Sequence, residues 1–197
     1  GIGFFVKELE AALLAGEIDA AVHSMKDLPS ASSPELTIAA ITEREDPRDA
    51  LVARDGLTLR TLPAGARVGT ASPRRIAYLR AARPDLVVIG IRGNVETRIR
   101  KVDAGDVDAV CLAGAGLRRI GLADRITECL PVEVMLPAPG QGALGVQVRA
   151  EDQRAGAIAR AADHATSHAA VAAERALLAR LEGGCRLPVG AFAVLDG

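Results

Sequence analysis

Several short stretches of this 197-residue chain combine residue types that could hold or transform a charged ligand. In His23-Ser24-Met25-Lys26-Asp27 an acid adjoins a base just past Ile18 to Val22, an apolar run that reads as a buried strand. A surface Lys–Asp pair is worth only about 0 to 1 kcal/mol, so an idle ion pair is the plain alternative. Position favours function, because the carboxyl ends of strands are where open α/β folds bind ligands. Thr70-Ala71-Ser72-Pro73-Arg74-Arg75 follows a strand and opens a helix. Ser72 suits an N-cap, Pro73 suits the first helical position, and the free N–H groups there favour an anion. Arg74 and Arg75 oppose the helix dipole, a mild cost that an anionic ligand would offset. A solvated basic turn is the alternative.

The layout recurs at Ile91-Arg92-Gly93-Asn94-Val95-Glu96-Thr97-Arg98. There Asn94 is the expected N-cap, Arg92 stands at a strand end, and Arg98 lies one turn into the helix. Arg118 and Arg119 follow a third strand, with Gly114 and Gly116 in the turn. Three strands thus aim arginine at one edge. The planar fork of arginine binds carboxylates in pairs of bonds, so the ligand should carry several carboxylates or phosphates. Unrelated surface arginines are the competing reading.

Gly140-Gln141-Gly142-Ala143-Leu144-Gly145 spells the dinucleotide-binding fingerprint, but it follows Pro139 and precedes a strand, which is the wrong context. A crossover between lobes, with Gln141 facing a ligand, fits better. Cys111 and Cys129 have apolar neighbours and read as core residues, Cys129 near a helix end. Cys185 in Gly183-Gly184-Cys185-Arg186 sits in an open turn beside a cation that favours thiolate, which leaves a reactive thiol and an idle one equally open. His164 and His168 have metal-ligand spacing. Thr166 and Ser167 are N-cap candidates between them, placing His164 outside the helix, so no metal site is expected.

The elements that must position these residues follow from the hydrophobic pattern. A helix from about Phe5 leads to the strand before His23, and a second strand spans Leu36 to Ile41. The charged stretch Glu43 to Asp49 suits a hinge. Beyond it strands near 66–69, 86–91 and 109–113 alternate with helices from Pro73 and Val95 and a helical stretch through Leu122, the pattern of a parallel, doubly wound sheet. A strand at 143–148 and an Ala-rich helix at 169–181 complete the series.

Hydrophobic residues make up 49% of the chain, enough for a substantial core. Aromatics are only 2%, and Lys plus Arg (24) balance Asp plus Glu (25), which argues against nucleic-acid or membrane partners. Three dispersed cysteines suggest a reducing, cytoplasmic setting. The abrupt start, and an end that reads as a strand entering a turn, suggest a fragment.

Read in order, FVKELEAALL, AVHSMKDLP, EREDPRDA, the paired arginines after VGTAS, IRGNVETR, AGLRRIGL, LPAPGQGALG and LEGGCRLPVG resemble the porphobilinogen deaminase (hydroxymethylbilane synthase) family over essentially the whole chain. The resemblance implies an α/β fold of two periplasmic-binding-protein-like (type II) lobes with hinge crossovers and part of a small α+β third domain. Lobe 1 would take 1–42 and 143–160, lobe 2 would take 48–136, and 165–197 would begin the C-terminal domain with its cysteine loop. The first strand of the family and early arginine and serine ligands would lie upstream of Gly1.

The resemblance further implies a transferase for tetrapyrrole biosynthesis. It would join four porphobilinogen units head to tail, with loss of ammonia, onto a dipyrromethane cofactor bound covalently to Cys185, giving hydroxymethylbilane. Asp27 matches the catalytic carboxylate. Lys26, Asp27, Thr70, Ser72, Arg74, Arg75 and Arg98 match cofactor-binding positions; Ser24, Arg92, Arg119 and Gln141 match substrate-binding ones. A monomer is implied. Three residues depart from the common pattern: Ile2 for a lid-loop lysine, Ala71 for serine and Pro73 for leucine. A two-lobed receptor could use the same arginines without catalysis, but it would need neither Asp27 nor Cys185.

Overall fold

The computed structural model describes residues 2–29, 33–181 and 188–195. In order the chain forms α1 (Ile2–Leu14), β1 (Ala21–Ser24), β2 (Leu36–Ile41), β3 (Asp49–Ala53), β4 (Arg67–Gly69), α2 (Pro73–Ala82), β5 (Val87–Ile89), α3 (Val95–Asp103), β6 (Ala109–Ala113), α4 (Gly114–Arg119), β7 (Glu128–Cys129), β8 (Leu144–Arg149), α5 (Gln153–Arg160) and α6 (Ala165–Arg180). The described residues divide into two compact units, one drawn from Gly1–Glu45, Ala138–Cys185 and Ala191–Gly197, the other from Asp46–Pro137 and Arg186–Gly190. No helix among them is long and apolar enough to cross a membrane.

The first unit carries a three-stranded sheet in the order β1-β8-β2, with β8 antiparallel to both neighbours. Val6, Met25, Leu28, Ile41, Ala143 and Val171 form one buried cluster, which ties α1 and α6 to the turn after β1. Helix α6 begins at Ala165, four residues earlier than its apolar pattern suggests. Its N-cap is His164, whose ring Nδ1 accepts from Ser167 N at 3.3 Å, rather than Thr166 or Ser167. The Ser167 hydroxyl is used elsewhere, accepting from Arg44 N at 3.0 Å.

The second unit holds a five-stranded sheet in the order β5-β4-β6-β3-β7. β4 runs parallel to β5 and β6, as the alternation of strands and helices predicts. β3 runs antiparallel to β6 and β7, so the sheet is mixed rather than wholly parallel. The reason is local. β3 enters directly from the charged connection at residues 42–48, with no crossover helix to return it in the parallel sense. Its first four residues are buried, and they sit in the middle of the unit between two apolar clusters.

Candidate active site

Helix α2 starts as its sequence predicts. The Ser72 hydroxyl accepts from Arg75 N at 3.5 Å, and Thr70 Oγ1 accepts from Ser72 N at 3.2 Å. Each hydroxyl keeps its own proton to donate, although Thr70 itself is fully buried.

Arg74 and Arg75 are not a solvated turn. Both are buried, drawn inward by Asp49, the fully buried first residue of β3. Arg74 Nη1 lies 2.7 Å from Asp49 Oδ2 and donates to Leu136 O at 2.6 Å. Arg75 places Nη2 2.7 Å and Nε 2.9 Å from Asp49 Oδ1, while Nη1 donates to Cys111 O at 3.1 Å. One carboxylate therefore fixes two guanidinium groups, and neither has to be ordered when a ligand arrives.

Arg98 is half-buried on the first turn of α3, capped by Asn94, whose side chain accepts from Thr97 N at 2.8 Å. Its Nε donates to Gly93 O at 2.8 Å. Gly93 has φ +120°, and a Cβ there would come within 2.8 Å of the Thr97 methyl, so this close approach needs glycine. Burial, and after it the charge of Arg75, hold the Arg98 guanidinium below the usual arginine pKa. Arg98 thus sits in a positive field, a setting that an anion would relieve. Arg92 and Arg119 are exposed. Arg118, next to Arg119 on α4, is pinned by Asp46 Oδ2 at 3.3 Å and by the Cys129 sulfur at 3.3 Å.

In the first unit, β1 delivers His23 and Ser24 into a 3-10 turn, Met25–Asp27. Met25 N donates to Ala143 O at 3.0 Å, fastening the turn to the start of β8. Gly140, at φ +72°, lies so close that a Cβ would fall 2.9 Å from Met25 Cβ, and a Cβ on Gly145 would strike Met25 Sδ. These glycines let the 140–145 segment clasp the turn, leaving Ser24, Lys26 and Asp27 half-buried beside it. The segment is a turn leading into β8, not a nucleotide loop. Gln141 is 1% exposed, so its side chain is enclosed by the fold.

Sequence reasoning missed the residues that hold this arrangement. Glu174 on α6, itself buried, pairs with Arg44 at 2.7 and 3.0 Å and accepts from Gly140 N at 2.7 Å and Ala193 N at 2.9 Å. Arg44 Nε donates to Gln141 O at 2.9 Å. Arg175 donates to three carbonyls, Met25 O and Leu28 O at 3.2 Å and Pro29 O at 2.6 Å. On an alanine-rich helix these two charges look solvent-facing, and their partners lie up to 150 residues away.

His23 bonds Gln147 at 2.9 Å, His164 Nδ1 bonds Ser167 and His168 Nδ1 bonds Asp163, so each histidine has a structural partner. Cys111 is buried within an apolar cluster, which pushes its thiol up to about 12 and makes it unreactive. Cys129 lies on β7, half-buried, rather than near a helix end. Cys185 lies outside the described residues.

A family model described as "Porphobilinogen deaminase, dipyromethane cofactor binding domain" matches residues 1–157, and one described as "Porphobilinogen deaminase, C-terminal domain" matches 168–197. Similar curated proteins include the porphobilinogen deaminases of Roseiflexus castenholzii, 54% identical over 99% of this chain and 64% of the relative, and of Desulforudis audaxviator, 58% identical over 96% and 62%. The chain therefore spans just under two thirds of the length of these relatives. Among solved structures, an ABC transporter periplasmic substrate-binding protein from Coxiella burnetii aligns over 92% of this chain and 83% of its own, with TM-score 0.51 and 17% identity. A lipoprotein from Bacillus subtilis aligns over 77% of this chain and 72% of its own, with TM-score 0.50 and 16% identity. At such identities these two establish the periplasmic-binding-protein-like fold alone.

Proposed function

The chain belongs to the porphobilinogen deaminase family, and we propose that it carries the substrate-activating and anion-binding residues of a hydroxymethylbilane synthase. The observation that carries this reading is Arg98, half-buried beside Arg75 in a field that an anion would neutralise. A pyrrole substrate bearing one acetate and one propionate meets that requirement, and a growing chain of such pyrroles meets it repeatedly.

The second unit binds. Arg74 and Arg75, fixed by Asp49, and Arg98 would hold the carboxylates of a dipyrromethane cofactor, with Thr70 and Ser72 donating their hydroxyl protons. The cofactor fits these donors, since each of its side chains is an anion and the donors are cationic or hydroxylic. When bound through a thioether to Cys185 it supplies the free pyrrole carbon onto which four substrate units are added. Arg92 and Arg119 would bind incoming porphobilinogen.

The first unit activates. Asp27 would accept from the pyrrole N–H and stabilise the cation that forms as the aminomethyl C–N bond of porphobilinogen breaks and ammonia leaves. A pair of opposite charges about 4 Å apart at an effective dielectric near 20 is worth about 4 kcal/mol, roughly a thousandfold in rate when it acts on the transition state alone. Lys26 would hold a cofactor carboxylate and Ser24 a substrate carboxylate, while Gln141, enclosed by the fold, would support binding by fixing the segment that clasps the turn, its carbonyl accepting from Arg44 Nε. The family resemblance suggests a monomer, and the dispersed cysteines suit the cytoplasm.

Asp27→Asn tests the assignment on the chain produced at the full length of its relatives. Ammonia release should fall by at least a hundredfold while the mass of the protein still includes the cofactor. Release within threefold of the parent would remove Asp27 from this role.

A further inference from the structure

Arg175 is bonded to the backbone on both sides of the proposed catalytic carboxylate. Its Nη1 reaches Met25 O and Leu28 O, and its Nη2 reaches Pro29 O. Lys26 and Asp27 lie within that bracket of residues.

A three-residue 3-10 turn needs such help. Its N-cap, Ser24, makes no side-chain capping bond, and Leu28 is already extended at φ −74°, ψ 134°, so the turn ends with carbonyls that no following helical N–H can satisfy. A guanidinium supplies several donors in one rigid plane, which lets a single side chain gather the three oxygens. A cation at the carboxyl end of a helical turn is also electrostatically favourable.

The anchor is rigid. Val171, one helical turn before Arg175 on α6, packs in the buried cluster with Met25 and Leu28, the residues whose carbonyls Arg175 binds. Neighbouring Glu174 holds Gly140 N, and Gly140 lies so near Met25 that a Cβ there would fall 2.9 Å from Met25 Cβ. The same face of α6 therefore grips the turn from its carbonyl side and the clasping segment from its N–H side.

We propose that Arg175 is a positioning residue for Asp27, fixing the backbone that holds the carboxylate where charge develops on the substrate. The inference rests on the role given to Asp27 above. Misplacing a catalytic group by about 1 Å can cost on the order of a hundredfold in rate.

The test uses the full-length holoenzyme with Arg175→Ala and Arg175→Lys, each alone and combined with Asp27→Glu. Arg175→Ala should lower kcat by about 10- to 100-fold with KM changed less than about threefold and the Cys185 adduct retained; lysine, which keeps the charge but loses the fork, should restore part of kcat. Combined with Asp27→Glu, whose carboxylate is already displaced, Arg175→Ala should cost less than about threefold more. Unchanged kcat, a loss carried by KM, or multiplicative losses in the double variant would overturn the proposal for Arg175 alone. Should the alanine variant fail to fold, the lysine variant decides by the same split, with a kcat loss of at least threefold at constant KM expected. An Asp27→Glu variant as active as the parent would overturn both assignments.

Discussion

Asp49 Oδ1 lies 2.7 Å from Arg75 Nη2, with the carboxylate wholly buried, so an arginine at the start of a helix is anchored on β3, beside the central strand of its sheet. Arg74 shares the same carboxylate at 2.7 Å. Removing the acid would leave two buried guanidinium groups without their counter-ion. Asp49→Asn should therefore destabilise the protein by about 3 to 5 kcal/mol, measured by denaturant unfolding. A loss under about 1 kcal/mol would mean that the two arginines do not depend on Asp49.

Arg98 should behave in the opposite way. Its charge is disfavoured by burial and by Arg75, so Arg98→Gln should leave unfolding stability unchanged or slightly raised. The variant should bind a polycarboxylate pyrrole ligand about 10- to 100-fold more weakly, the scale of one charged hydrogen bond. Equal losses of stability and binding would make Arg98 a structural residue.

Gly140 tests the clasp. A Cβ there would have to adopt φ +72° and would press on Met25. Gly140→Ala should cost about 1 to 3 kcal/mol in stability, and it should lower kcat because the turn bearing Asp27 must move. Stability loss with unchanged kcat would show that Asp27 tolerates movement of Met25.

Asp163 gives a pH dependence. Its carboxyl is held below the usual carboxylate range, first by the bond from Ile41 N at 2.7 Å and then by His168. A lowered folded-state pKa adds stability above the unfolded value, near 4, and that stability is lost as pH falls through the folded value. The stability gap between the parent and Asp163→Asn should be constant from pH 5 to 6 and narrow below about pH 4. A gap that does not change with pH would contradict this.

The start of α2 was legible because Ser72 and Pro73 carry their own capping signal, and Asn94 announced α3 in the same way. The alternation after residue 60 gave the parallel part of the second sheet. β3 was not legible, because its five residues follow a charged stretch whose acid, Asp49, looks solvated until its partners 25 and 26 positions later are folded against it. Glu174 and Arg175 were hidden for the same reason. Charge on a helix reads as surface unless the distant backbone it serves is known, and local sequence holds no signal for a contact that spans 150 residues.

The proposed function requires the full-length protein to extend a polyanionic primer fixed to Cys185. Intact mass spectrometry of the full-length protein, made in cells that supply the cofactor and then mixed briefly with porphobilinogen, tests it most directly. The expected result is a dipyrromethane adduct lost in Cys185→Ser, and a ladder of up to four further pyrrole increments that shortens when Asp27 is replaced by asparagine. An unmodified Cys185 in active protein, or an adduct that never gains a pyrrole unit, would contradict it.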